Sequence, residues 1–138
     1  MENRKQILTA EVADKKLRRM ALQLIEDNYT ETQLVLIGIK NHGTVIAEKI
    51  SQYIKEVFTG EVLVLELSMD KKNPLTISLD TGMDFTDKII VLIDDVANSG
   101  RTMLYAIKPL LQQLPKKIQT LALVERTHKT FPVDVDYV

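Results

Sequence analysis

Short runs of continuously apolar residues, each separated from the next by an amphipathic helical pattern, constrain this chain more than any other feature. Leu34-Val35-Leu36-Ile37 is such a run, and Val62 to Leu67, Lys88 to Ile93 and Ile118 to Val124 are mostly apolar stretches that also read as strands. A strand with one wet face alternates; a strand that is apolar throughout is covered on both sides. Before and between the runs, Val12, Ala13, Leu17, Met20, Ala21, Leu24 and Ile25 recur at helical spacing, as do Ile46, Ala47, Ile50, Ile54 and Val57. Met103, Leu104, Ile107, Leu110, Leu111 and Leu114 form a third stripe. The alternation predicts an α/β fold, a mostly parallel twisted sheet with helices on both faces. The first helix should end at Asp27-Asn28 and the second near Gly60, and Pro109 should kink or shorten the third. Gly38 to Gly43 and Ser68 to Pro74 read as loops. Thr76 to Leu79 reads as a short strand before an Asp80-Thr81-Gly82 turn, and the alternating tail, Val133 to Val138, as a last strand.

Composition removes several function classes. The 138 residues show no repeat or linker, so residues 1–138 read as one domain. Eighteen basic residues against nineteen acidic ones leave a net charge of −1, so nucleic-acid binding would need a local basic patch. The absence of cysteine excludes disulfides, thiol catalysis and cysteine-ligated zinc, and a reducing cytoplasm fits. With His42 and His128 alone, a multi-histidine metal site is disfavoured. No apolar run approaches the roughly 18 residues of a spanning helix, and the first twenty residues lack the pattern of a secretory signal.

In parallel sheets the working crevice lies outside the carboxyl ends of the strands. One such end carries a dense chemical message: Val91-Leu92-Ile93-Asp94-Asp95-Val96-Ala97-Asn98-Ser99-Gly100-Arg101-Thr102. Two carboxylates sit where a buried strand leaves the sheet, small and hydroxylic residues follow, and a helix starts at about Arg101. Backbone N–H groups at that start, with the Ser99 and Thr102 hydroxyls, suit a phosphate. The carboxylates suit sugar hydroxyls and attract magnesium. A sugar phosphate is the simplest ligand for both halves. The plainer alternative is an acidic pair that caps a helix or is merely solvated. Neither GxxxxGK[ST] nor GxGxxG occurs.

The apolar strand, two acids, a small stretch and Ser99-Gly100-Arg101-Thr102 together resemble the phosphoribosyl pyrophosphate (PRPP) signature of type I phosphoribosyltransferases, a Rossmann-like fold. Leu36-Ile37-Gly38-Ile39-Lys40-Asn41-His42-Gly43, with a helix from Thr44, resembles the pyrophosphate loop of the pyrimidine-operon attenuator/uracil phosphoribosyltransferase family. The stretches around Arg18-Arg19-Met20-Ala21 and from Leu123 through Glu125-Arg126-Thr127-His128 to Tyr137-Val138 are also similar. The resemblance implies that Asp94 and Asp95 hold the ribose hydroxyls and serve catalysis. It implies that Ala97, Asn98, Ser99, Gly100, Arg101 and Thr102 wrap the 5-phosphate. Lys40, Asn41, His42 and Gly43 would bind pyrophosphate, and Arg126 and His128 are candidates for base contact. Magnesium (Mg2+) would arrive on PRPP, water-bridged to Asp94 and Asp95, with no direct protein ligand. The reaction would be displacement of pyrophosphate by a nucleobase, a pyrimidine such as uracil, in a cytoplasmic homodimer or higher homo-oligomer.

Departures from the family pattern fall around the site. His42 stands where the family has arginine, and an imidazole does not reproduce a guanidinium fork. Leu67-Ser68-Met69-Asp70 stands where the family has Tyr-Arg-Asp-Asp, with Lys71 or Lys72 as substitute point charges, and relatives continue past Val138. Lys15, Lys16, Arg18 and Arg19 form a basic run, either a solvated helix face or an RNA-contacting patch, since the resembled family includes regulators of messenger RNA leaders. The second functional reading is therefore a PRPP- or nucleotide-binding regulator without turnover, and a third is a purely structural subunit.

Overall fold

The computed structural model describes residues 9–70, 72–79 and 82–138. The Asp80-Thr81 part of the expected turn and Lys71 lie outside these residues. The elements run α1 (Ala10–Asp27), β1 (Gln33–Ile39), α2 (His42–Lys55), β2 (Glu61–Asp70), β3 (Asn73–Leu79), β4 (Ile89–Ala97), α3 (Arg101–Ile107) with a 3-10 turn at Lys108–Gln112, and β5 (Lys117–Glu125). The sheet order is β3-β2-β1-β4-β5. β2, β1, β4 and β5 are parallel, and β3 returns antiparallel along β2.

Why these residues build this sheet follows from the pleat. Leu34, Leu36, Val91, Ile93 and Leu121 point to one face, against Leu17, Met20, Ala21 and Leu24 of α1 and Ile46, Ala47, Ile50 and Ile54 of α2. Val35, Ile37, Ile39, Ile90, Leu92 and Ala122 point to the other, against Phe85, Met103, Ala106 and Leu110. Odd and even positions of the same strand thus fill two separate cores, and continuous apolar runs are the result. The buried positions of α1 fall at i, i+3, i+4 and i+7, one stripe of a 3.6-residue helix. Pro109 does shorten the third helix: α3 ends at Ile107 and the chain tightens into the 3-10 turn.

Three expectations are corrected. The stretch from Ser68 to Pro74 is a β-hairpin, because β2 runs to Asp70 and β3 starts at Asn73. Pro74 sits on this edge strand, where its missing N–H costs no ladder bond to a further strand. Met69 lies in β2 and packs on the second core, whereas a loop was expected. The tail makes one isolated bridge, Tyr137 to Leu121, and forms no strand. Its Tyr137 ring is buried, and the hydroxyl donates to Asp27 Oδ2 at 2.6 Å beside the Gln119 amide.

Candidate functional site

β1 is followed in the sheet by β2 on one side and β4 on the other, so the topological switch point lies between the carboxyl ends of β1 and β4. Two glycines let the start of α2 pack closely against those ends. A Cβ on Gly38 would lie 2.5 Å from Thr44 Cα, and a Cβ on Gly43 would lie 2.4 Å from the Ile93 carbonyl oxygen. The expected loop from Gly38 to Gly43 is correspondingly short. Gly38 and Ile39 belong to β1, α2 begins at His42, and only Lys40 and Asn41, joined by a cis peptide, connect them. The Lys40 N–H donates to Leu67 O at 2.9 Å, tying the turn to β2.

β4 extends to Ala97, so the two acids stand on the strand itself. Asp94 follows the pleat toward the α3 side and is 3% exposed. Its Oδ1 accepts the Asp95 N–H at 2.8 Å. Asp95 is placed on the α2 side, where its Oδ2 meets His42 Nδ1 at 3.0 Å and its Oδ1 accepts the Val96 N–H at 2.8 Å. Partial burial pushes the Asp95 carboxyl up. Its hydrogen bonds with His42, Asp94 and the Val96 N–H outweigh that and hold it below the ordinary carboxylate value. His42 itself is 78% exposed at the side chain.

A cavity of about 380 Å³ opens beside the acids, lined by His42, Asp94, Asp95, Val96, Ala97, Asn98, Ser99, Gly100, Thr102 and Met103. Gly100 adopts φ 86°, a left-handed conformation that turns the chain into α3. The Ser99 hydroxyl oxygen accepts the Arg101 N–H at 3.2 Å. The residues read as a sugar-phosphate site are thus gathered around one cavity, apart from Arg101, whose side chain is not on its wall. A second cavity, toward β2, is lined by Lys40, Asn41, His42, Met69 and Asp95. A third, toward β5, is lined by Val45, Ile46, Val96, Leu123 and Val124, with His42 and Asp95 at its rim. Gly43 packs beneath the site against β4 and lines none of the three. Lys72 is also absent from their walls.

Arg126 and His128, singled out for base contact, are exposed and line none of these cavities. The residues that sequence reasoning missed are the apolar ones of the third cavity, since Val45, Leu123 and Val124 carry no polar signal. The basic run on α1 is largely anchored within the fold. Lys16 Nζ donates to Leu123 O at 2.5 Å and Arg19 Nη2 to Val138 O at 2.5 Å, while Arg18 lies 4.3 Å from the centroid of the Tyr53 ring. Partial burial, then the neighbouring Arg19 charge, lowers the Lys16 pKa.

Among the described residues, no group of three or more His, Asp or Glu side chains could cage a metal ion.

The chain matches the family model of the phosphoribosyl transferase domain over residues 3–138. It is 36% identical over 150 aligned residues to the bifunctional protein PyrR of Oceanobacillus iheyensis, covering all of this chain and 83% of that protein. It also resembles the solved structure of the hypoxanthine phosphoribosyltransferase of Trypanosoma cruzi, with a TM-score of 0.84 at 16% identity, over 96% of this chain and 78% of that one. For a hypoxanthine-guanine phosphoribosyltransferase of Bacillus anthracis the TM-score is 0.81 at 19% identity, again over 96% and 78%. The mostly parallel five-stranded sheet is the fold these chains share.

Proposed function

The chain belongs to the phosphoribosyl transferase domain family, close to the PyrR proteins, and from that premise we propose that it binds PRPP and transfers the phosphoribosyl group to a pyrimidine base such as uracil, releasing pyrophosphate. One observation carries the reading: three cavities of different character meet at Asp95 and His42. The polar one beside Ala97 to Thr102 suits the 5-phosphate and ribose. The one toward β2, with Lys40 and Asn41, suits pyrophosphate. The apolar one toward β5 suits a flat base. Pyrophosphate and base then lie on opposite sides of the ribose, the arrangement a displacement at the anomeric carbon requires.

In this reading the chain's residues do little covalent work. Asp94 and Asp95 accept hydrogen bonds from the ribose hydroxyls and fix the anomeric carbon between the two outer cavities. Their negative charge also favours the positive charge that develops on the ribose as the leaving group departs. Backbone N–H groups of the Ala97 to Thr102 turn hold the phosphate. Lys40 and the β1–α2 turn favour the charge that gathers on pyrophosphate. Asp94 and Asp95 would be the residues nearest a Mg2+ ion brought in on PRPP, which would supply further charge neutralisation.

The test is pyrophosphate release with PRPP, magnesium and each common base in turn. Turnover with uracil alone supports the proposal, and turnover with purines alone refutes the pyrimidine assignment. Asp94→Asn with Asp95→Asn should abolish PRPP binding while the melting transition persists. Intact binding in that double variant would refute the ribose assignment. A second reading, a nucleotide-binding regulator without turnover, is favoured by the His42 bond to Asp95, which gives the pyrophosphate side no arginine and engages a ribose acid. Saturable PRPP or nucleoside monophosphate binding with no pyrophosphate released would select it. Binding of RNA in that role would show as a salt-dependent affinity weakened by neutralising Lys15.

A further inference from the structure

The 5-phosphate turn does not shape itself. Residues 98–100 lie outside regular structure, and their outer side is held by the segment that follows β5. The Arg126 N–H donates to Ala97 O at 2.9 Å, and the Thr130 and Phe131 N–H groups both donate to Ser99 O at 3.0 Å. Gly100 is fitted against the same segment: a Cβ there would lie 3.1 Å from Phe131 O and 3.4 Å from Lys129 Cδ. The Phe131 ring meets Tyr105 of α3 edge-on, with centroids 6.4 Å apart. Residues 126–131 therefore form an outer brace, fastened to the turn at its start, middle and end.

The brace has an ionic tie of its own. Lys129 Nζ lies 2.5 Å from Glu125 Oε2 and 3.4 Å from the Arg126 carbonyl oxygen. The Lys129 side chain is only 12% exposed, an unusual place for lysine, whose ammonium is normally solvated. Glu125 is the last residue of β5, so the pair anchors the brace to the sheet. Removing either partner leaves a poorly solvated charge without its counterpart, and the turn must open to rehydrate it.

We propose that the Glu125–Lys129 pair is a positioning device for the phosphate turn: it keeps the brace closed, and the closed brace holds Ser99 and Gly100 in the conformation that lines the cavity. The inference rests on the reading of Ala97 to Thr102 as the phosphate cradle. Neither residue lines the cavity, so both act through the turn.

The experiment compares wild type with Lys129→Met, Lys129→Arg and Glu125→Gln. Amide hydrogen exchange is followed at residues 98–102 without ligand, and affinities for ribose 5-phosphate and for magnesium–PRPP are measured by calorimetry. Lys129→Met should speed exchange at these amides but not in β1. It should raise the ribose 5-phosphate Kd roughly tenfold, the equivalent of one misaligned charge-assisted hydrogen bond. Lys129→Arg should restore both. Should Lys129→Met not fold, Glu125→Gln breaks the same tie and must give the same pattern. Normal exchange with wild-type affinity in the Met and Gln variants overturns the brace alone. An equal loss in the Arg variant also overturns it. A wild-type protein that binds neither ligand overturns the phosphate reading and this inference together.

Discussion

Replacing Gly43 with alanine tests how the site is assembled more directly than replacing any polar residue. The added Cβ would lie 2.4 Å from the Ile93 carbonyl oxygen, about 1 Å inside ordinary contact. That oxygen belongs to β4, which is paired with β1 on one side and β5 on the other and cannot yield. The β1–α2 turn must lift away, and overpacking of this kind costs about 1–3 kcal/mol. For a chain of this length that is a fall in Tm of roughly 3–10 °C. The same lift carries His42 from its 3.0 Å contact with Asp95 and opens the space between the start of α2 and β4. Displacing a binding turn by that distance should weaken PRPP binding by roughly 10- to 100-fold. Gly82 is the control, since a Cβ there would meet no atom within 4 Å. Differential scanning fluorimetry and calorimetric titration of Gly43→Ala and Gly82→Ala provide the comparison. A Gly43→Ala protein that melts and binds like wild type refutes the close-approach argument.

Three further outcomes follow from other contacts. His42→Arg should tighten PRPP binding roughly tenfold by restoring a bidentate fork for pyrophosphate; weaker binding by calorimetry would show that the bond to Asp95 matters more than the charge. Asp95 has a folded-state pKa below its unfolded value, so its stabilising contribution is complete above about pH 4 and drains away as pH falls through the folded value. The Tm difference between wild type and Asp95→Asn should therefore shrink below about pH 4, and a constant difference across pH 3–7 would contradict this. Tyr137 has its ionisation pushed up by burial and then by Asp27, so its contribution is complete below about pH 10 and is lost as pH rises further. Tyr137→Phe should lose about 1–2 kcal/mol at neutral pH in a urea titration and show less alkaline loss than wild type.

Much of the fold was legible because the central strands β1 and β4 are buried on both faces, and that burial leaves a mark no loop can imitate. Leu34 to Ile37 and Lys88 to Ile93 identify the centre of the sheet from composition alone. The β2–β3 hairpin was not legible because the end of β2, the turn and the start of the edge strand β3 carry Ser68, Asp70, Lys72 and Asn73, partly or fully exposed, which gives the hairpin tip the composition of a loop. That the acid pair and its glycine turn share one cavity was legible, because two carboxylates after five apolar residues mark the carboxyl end of a buried strand. Arg126 and His128, singled out for their charge and titratable ring, are exposed and line none of the three cavities. That segment meets the glycine turn through the Arg126, Thr130 and Phe131 N–H groups and carries the largely buried Lys129, and neither feature leaves a pattern in the sequence. The apolar cavity beside Val45 and Leu123 was invisible for the opposite reason, since aliphatic side chains announce a core and nothing else.

Asp94 and Asp95 are consecutive in the chain yet face opposite sides of β4, one toward α3 and the other toward α2. The doublet is consequently not a spare copy of one group: neither acid can stand in for the other, and each single loss should have its own phenotype. Inserting one residue between Lys88 and Ile93 would exchange their surroundings outright, whereas an insertion ahead of Phe85 would leave both undisturbed. Length variation among related chains should accordingly gather upstream of this strand and be missing from within it.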